Sequence, residues 1–168
     1  MDKMTHDDLQ SVLLCVGGHD PSGGAGIQAD AEAALAAGIH ACSVITCLTS
    51  QNTCGLSRLW PQRAEQVEDQ CRRILSDSKV AAIKIGLLGS SRVVRVLCDL
   101  ATENPRLTLV LDPVLTTDSG QQVADAALLN QIRNNLLERC TLVTPNLPEA
   151  RTLIRLCQKP PQAVSVSL

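Results

Sequence analysis

The chain has 168 residues, 45% of them hydrophobic and 19% charged, with a formal net charge of −2. That length fits one domain with a workable core, and the acidic balance argues against nucleic acid or an anionic membrane as the main partner, since both require a basic face. No apolar run reaches the length of a membrane span, and the start Met1-Asp2-Lys3-Met4-Thr5-His6-Asp7-Asp8 is too acidic for a signal peptide, so the expected location is cytoplasmic.

Taken in chain order, the first element is the continuous apolar run 12–16, which reads as a strand covered on both faces. Gly17-Gly18-His19-Asp20-Pro21-Ser22-Gly23-Gly24-Ala25-Gly26 follows. It opens into a helix with Ile27, Ala31, Ala34 and Leu35 on one face and Gly38 at its end. A strand, a glycine-rich bend and a helix N-terminus place unpaired backbone N–H groups at the carboxyl edge of a sheet, where a small polar ligand or an anion fits. The spacing is neither G-x-G-x-x-G nor a P-loop, so these residues alone specify a ligand site, with a tight turn as the plainer alternative.

The second strand, 41–48, leads to Thr49-Ser50-Gln51-Asn52-Thr53, read as a polar loop, and then to a helix with Val67, Cys71, Ile74 and Leu75 on one face. Strand 81–85 is followed by Gly86-Leu87-Leu88-Gly89 and a helix over 91–101 with Val94, Leu97 and Cys98 turned inward. Strand 107–111 leads to Asp112-Pro113-Val114 and to a helical face of Leu129, Ile132 and Leu136. Strand 141–144 leads to Thr144-Pro145-Asn146-Leu147-Pro148-Glu149. Strand–helix alternation with short connections predicts an α/β fold with a mainly parallel sheet, helices on both faces and right-handed crossovers. Every polar or glycine-rich segment falls at the carboxyl end of a strand, the edge where such sheets bind ligands.

The chain has no Phe, no Tyr and one Trp, Trp60, so a flat ligand must be held between aliphatic side chains and backbone. Its eight cysteines are scattered inside apolar runs with no C-x-x-C pair, which reads as small buried hydrophobes rather than disulfides. The three histidines offer no metal-ligand spacing, and His19 is expected to be a solvated turn residue.

Five segments occur in an informative order. They are Gly-His-Asp-Pro-Ser-Gly-Gly-Ala-Gly-Ile-Gln-Ala-Asp, Ser-Val-Ile-Thr-Cys-Leu-Thr-Ser-Gln-Asn-Thr, Lys-Ile-Gly-Leu-Leu, Leu-Asp-Pro-Val-Leu and Thr-Pro-Asn-Leu-Pro-Glu-Ala. Together they resemble the hydroxymethylpyrimidine kinase / phosphomethylpyrimidine kinase family of thiamine biosynthesis, within the ribokinase-like superfamily. The resemblance runs from about Val12 to about Leu153. It implies ATP as phosphoryl donor, Mg²⁺ as cation, and a hydroxymethyl aminopyrimidine and its monophosphate as acceptors. It also implies a possible homodimer.

Carried over residue by residue, Gln51 resembles the position whose amide holds the polar edge of the pyrimidine, its donor and acceptor suiting a ring nitrogen beside an exocyclic amine. Ala25, Asp30, Asp20 and Thr49 resemble substrate-pocket positions, as do Val114 and Leu87, the last standing where relatives often have Met. Asp30 reads equally as an exposed carboxylate early in a helix. Asp112 resembles the family's Asp-Pro-Val segment near phosphates and metal, and reads equally as a turn starter. Asn146 and Glu149 resemble the superfamily's Asn-x-x-Glu motif, in which Glu149 meets Mg²⁺ through water; the same spacing is a helix capping box, and the two readings are compatible.

The resemblance has departures. The family's phosphate-binding glycine turn, with its anion hole and general base, comes well after Asn-x-x-Glu, whereas here 158–168 carries no family motif. Asp118 stands where many relatives carry Lys. The expected division is a tail at 1–11, a C-terminally truncated ribokinase-like kinase domain at 12–157 and a divergent tail at 158–168. Two rival readings are a pyridoxal- or pyridoxine-type kinase and a non-catalytic pyrimidine-binding product.

Overall fold

A computed structural model of the chain describes residues 11–117 and 120–154. Within them lie β1 (Val12–His19), α1 (Gly26–Ala36), β2 (His40–Asn52), β3 (Gly55–Pro61), α2 (Ala64–Asp77), β4 (Val80–Ile85), α3 (Ser91–Glu103), β5 (Thr108–Leu111), α4 (Ala126–Gln131), β6 (Leu142–Val143) and α5 (Leu147–Ile154). The strands form one sheet in the order β3-β2-β1-β4-β5-β6. All neighbours are parallel except β2 and β3, which pair antiparallel.

The sheet is covered on both faces because consecutive strand residues point to opposite sides. Leu14 and Val16 of β1, Val44 of β2, Ile83 and Ile85 of β4, and Leu109 and Leu111 of β5 face one way. They form a single core with Val67 and Cys71 of α2, Val93, Val94, Leu97 and Leu100 of α3, and Leu128, Ile132 and Leu136. Each fully buried aliphatic side chain of this kind stabilises the fold by about 1.5–3 kcal/mol. Cys15 faces the other way and is fully buried on the side where α1 packs over β1 and β2.

Several sequence expectations are corrected. Thr49–Asn52 is not loop: β2 continues through Asn52, turns at Thr53 and Cys54, and returns as β3, an element the sequence reading lacked. Leu35 was expected on the buried face of α1 but is 74% exposed. The stripe that meets the sheet is Ile27, Ala31 and Ala34, and one further residue rotates by about 100°, off that stripe. Gly38 does end the helix: with φ of 74°, its N–H donates to the Leu35 carbonyl and that of Ile39 to Ala34, a Schellman closure.

The helix at Leu129 and Ile132 is shorter than its periodicity suggests. It is α-helical only to Gln131, capped by Asp125, and continues as a wider π turn over 132–136 and a 3₁₀ turn over 137–139. The buried face is accordingly Leu128, Ile132 and Leu136, with Leu129 half-buried. The expected boundaries at 1–11 and 158–168 lie almost wholly outside the described residues.

Cys15, Cys47, Cys71 and Cys98 are buried free thiols, Cys42 and Cys140 half-buried, and Cys54, at the β2–β3 turn, is exposed. Burial, helped by the neighbouring Asp30, pushes the Cys15 thiol up to about 11 from an ordinary 9.0. Burial likewise pushes Cys47 up to about 11 and Cys71 up to about 12. The folded chain therefore keeps protons that the unfolded chain sheds near pH 9.0. This contribution to stability is whole below that pH and is lost as pH rises toward 11–12. Thermal melts from pH 8 upward should show a falling midpoint, and Cys71→Val should flatten that decline; an unaltered decline in the variant would remove Cys71 as a contributor.

Candidate functional site

The chain runs outward from β1 to β2 and β3, then crosses back to place β4 on the other side of β1. This reversal makes a switch point between β1 and β4, where the loops leave in opposite directions and open a crevice at the carboxyl edge. A cavity lies there. Gly17 and Gly18 of β1 and Lys84 and Gly86 at the end of β4 form its floor. Asp20, Ala25 and Asp30, from the loop after β1 and from α1, make one wall together with Thr49 and Gln51. The last two are spaced i, i+2 on β2 and so share a face. Asp112, Val114, Thr144, Asn146 and Glu149 make the opposite wall, and Leu56, Leu87 and Val123 add aliphatic surface. Every site residue named from the sequence thus lines this one cavity. Trp60 does not; it is 47% exposed on β3.

The loop after β1 is organised by Asp20, which is buried at 5% exposure. Its Oδ1 accepts from the Ser22 N–H at 2.8 Å and the Ser22 hydroxyl at 2.7 Å. Burial alone would raise its pKa, but hydrogen bonds from the Gln51 side chain, Ser22 and the Ala25 N–H outweigh it and hold the carboxyl below the ordinary 3.8. His19 is the last residue of β1 rather than a solvated turn residue. It is half-buried, lines the cavity, and its carbonyl accepts the Thr49 hydroxyl at 2.8 Å. The Thr46 hydroxyl donates to the Leu87 carbonyl, fastening β2 to the loop after β4.

Lys84 is the cation at the base of the site. Its Nζ lies 2.8 Å from Asp30 Oδ1, 3.0 Å from Asp30 Oδ2 and 3.5 Å from Asp112 Oδ2. Asp30 is therefore not a solvated helix carboxylate; its side chain is 17% exposed and ion-paired. Asp112 is more open, at 40%, and its backbone turns tightly, with the Val114 N–H donating to its carbonyl at 2.9 Å.

The opposite wall is built on a reciprocal cap at the start of α5. The Glu149 N–H donates to Asn146 Oδ1 at 2.9 Å, and the Asn146 N–H donates to Glu149 Oε2 at 2.9 Å. Glu149 Oε1 also accepts the Leu115 N–H at 3.3 Å, tying α5 to the segment after β5. Among the described residues no three His, Cys, Asp or Glu side chains cluster closely enough to hold a metal alone. One open carboxylate, Asp112, and one buried carboxylate with free lone pairs, Glu149, nevertheless suit magnesium, which retains waters and takes few protein ligands. Asp118 lies outside the described residues.

A model of the phosphomethylpyrimidine kinase family matches residues 20–166. The chain belongs to that family. It is similar to the hydroxymethylpyrimidine/phosphomethylpyrimidine kinase of Salmonella typhimurium, 38% identical over 141 residues, covering 84% of this chain and 53% of the relative. It superposes on a crystal structure of phosphomethylpyrimidine kinase from Clostridium difficile with a TM-score of 0.79 and 30% identity, over 86% of this chain and 62% of that one. It also superposes on a pyridoxal kinase from Staphylococcus aureus in complex with ADP, with TM-score 0.74 and 27% identity, over 85% of this chain and 52% of that one. The sheet with its two helical layers is thus ribokinase-like, and the chain spans about half the length of the bacterial kinase it matches.

For this member of the phosphomethylpyrimidine kinase family, the sequence reading omitted two prominent features of the cavity. Lys84 lay inside an apolar strand, and its signal was a single charge between Ile83 and Ile85, where the strand's outer face reaches the site. Leu56 lay on the unrecognised β3.

Proposed function

We propose that this chain carries the acceptor-binding part of a hydroxymethylpyrimidine/phosphomethylpyrimidine kinase of thiamine biosynthesis. ATP would donate a phosphoryl group, first to the hydroxymethyl group of an aminopyrimidine and then to its monophosphate. The observation that carries the reading is the convergence of five strand-end segments on one cavity at the β1/β4 switch point, whose lining brings the Gln51 amide together with the aliphatic side chains of Leu56, Leu87 and Val114. An amide beside Leu56, Leu87 and Val114 suits a small polar heterocycle held edge-on by hydrogen bonds and face-on by aliphatic bulk. Magnesium belongs to the same proposal, with Asp112 and Glu149 as the groups that would hold it. So do a homodimer and a cytoplasmic location; no described helix is long and apolar enough to cross a membrane.

Phosphoryl transfer depends on positioning and on electrostatic stabilisation of spread negative charge. The residues described here supply acceptor positioning and carboxylates for a cation, and the proposal assigns them no anion hole. Calorimetric titration with 4-amino-5-hydroxymethyl-2-methylpyrimidine tests the reading. Gln51→Ala should weaken binding by about 1 kcal/mol, the net worth of an amide hydrogen bond. Folded wild-type protein that gives no binding heat would overturn the pocket assignment, and unchanged affinity in the variant would remove Gln51 from it. A parallel titration with pyridoxal separates this reading from that of a pyridoxal kinase.

A further inference from the structure

Lys84 is the one charged residue of β4, and a charge inside a central strand is costly unless it is paired. β4 lies between β1 and β5, and Ile83 and Ile85, on either side of Lys84, turn into the core. Lys84 therefore projects from the opposite face, beside Cys15, its register partner on β1. Its stem carries Nζ to the cavity floor, where it rests over Gly86: a Cβ at that glycine would lie 3.3 Å from it. Two carboxylates from opposite walls meet the ammonium there unequally. Asp30 of α1 holds it through both oxygens, at 2.8 and 3.0 Å, whereas Oδ2 of Asp112, after β5, is 3.5 Å away. The Asp30 side chain is also the less exposed of the two, 17% against 40%, so water and salt screen its attraction less.

We propose that Lys84 is a movable counter-charge for Asp112 and that Asp30 is a positioning residue: by drawing the ammonium to itself, Asp30 leaves Asp112 open to a divalent cation and so sets how tightly that cation is held. The inference rests on the magnesium assignment of Asp112. A cation arriving at Asp112 has only the longer contact to break, because Asp30 retains Lys84 through two shorter ones. An ammonium held by Asp112 alone would compete with the cation for the same carboxylate. Lysine suits this duty better than arginine, being a point charge on a flexible stem rather than a planar fork that grips a carboxylate bidentately. A role in stability alone explains less, since well-packed apolar side chains in place of a buried ion pair are often as stabilising or more so.

Binding of Mn²⁺ to the full chain, followed by the paramagnetic resonance of the free ion, with Mg²⁺ added in competition, reads the effect without nucleotide or turnover. Asp112→Asn should weaken binding. Asp30→Asn should weaken it about fivefold, because Lys84 then passes to Asp112, and Lys84→Met should tighten it by a similar factor. Both substitutions break the same ion pair, so a purely structural role would move the affinity in one direction; a shared sign would overturn the proposal. The double variant Asp30→Asn/Lys84→Met separates redirection of the ammonium from the direct field of Asp30. With no ammonium to redirect, it should bind Mn²⁺ as Lys84→Met does. A weakening as large as Asp30→Asn causes in the wild-type background would overturn the proposal.

Lys84→Met leaves Asp30 without its ion-pair partner, and a second measurement needs no variant of Lys84. In a crystal structure of cation-free Asp30→Asn, Nζ of Lys84 should close on Asp112 from 3.5 Å to a charge-assisted hydrogen bond of about 2.8 Å. An unmoved Nζ would refute the redirection. Wild type that takes up no Mn²⁺, or Asp112→Asn that takes it up undiminished, would remove the magnesium assignment and the proposal with it. Uptake that falls in Asp112→Asn but is unchanged in Asp30→Asn and Lys84→Met would remove the proposal alone.

Discussion

Replacing Gly26 by alanine should destabilise the fold by about 4 kcal/mol and abolish ligand binding, the largest effect expected of any single methyl group in this chain. Gly26 opens α1 with φ of 65°, in the left-handed region, which costs other residues about 1–2 kcal/mol. Here the steric term is larger. A Cβ at Gly26 would lie 2.2 Å from the Gly18 carbonyl oxygen and 3.2 Å from its carbon, and these are backbone atoms that no rotamer change can move. The close approach exists because His19 and Gly26 form a bridge across the base of the loop. Relieving the clash means withdrawing α1 from β1, which carries Ala25 and Asp30 out of the cavity. Gly38→Ala is the matched control. Its φ of 74° carries the same conformational penalty, but a Cβ there meets nothing within 4 Å, so about 1 kcal/mol is expected. Urea denaturation of both variants decides the matter, and equal losses of stability would refute the steric account.

The central strands and the cavity were legible because burial and chemistry both leave marks in the sequence. Leu14, Val16, Ile83, Ile85, Leu109 and Leu111 lie in runs apolar on both faces, as strands between two helical layers must be. The loops after them carry glycine, Asp and Asn because the carboxyl edge needs turns and polar groups. β3 left a weaker mark. It is an edge strand, half-exposed along its length and ending in Pro61, so neither a buried run nor clean alternation identifies it. The available signal was Asn52 and Gly55 flanking a two-residue turn.

Tertiary pairing was illegible for a different reason. Nothing local in the sequence shows that Lys84 reaches Asp30, 54 positions away, or that Leu115 donates to Glu149, 34 positions away. These contacts exist only because β4 is placed beside β1, and β5 beside β4, by the crossovers.

Glu149→Ala should cost about 3 kcal/mol, because it removes the partner of two backbone N–H groups rather than one. The Asn146 N–H loses its half of the capping box, worth about 1 kcal/mol, and the buried Leu115 N–H is left without an acceptor, worth a further 1–3 kcal/mol. Glu149→Gln separates the two contributions. Its single amide oxygen can still cap Asn146, as Gln does in such boxes, but its NH₂ cannot accept from Leu115. The expected order of stability is therefore wild type, then Gln, then Ala. Amide hydrogen exchange should show Asn146 still protected in the Gln variant while Leu115 is released. Equal losses in the two variants, or protection lost at both amides in Glu149→Gln, would refute the division of labour between the two carboxylate oxygens. A structural duty of this size does not compete with cation binding: an ionised carboxylate offers about four acceptor positions, and the two N–H groups use two of them. Holding the Glu149 side chain fixed at the wall is what a water-bridged magnesium ion would require of it, so the capping box and the proposed cation role favour the same side-chain conformation.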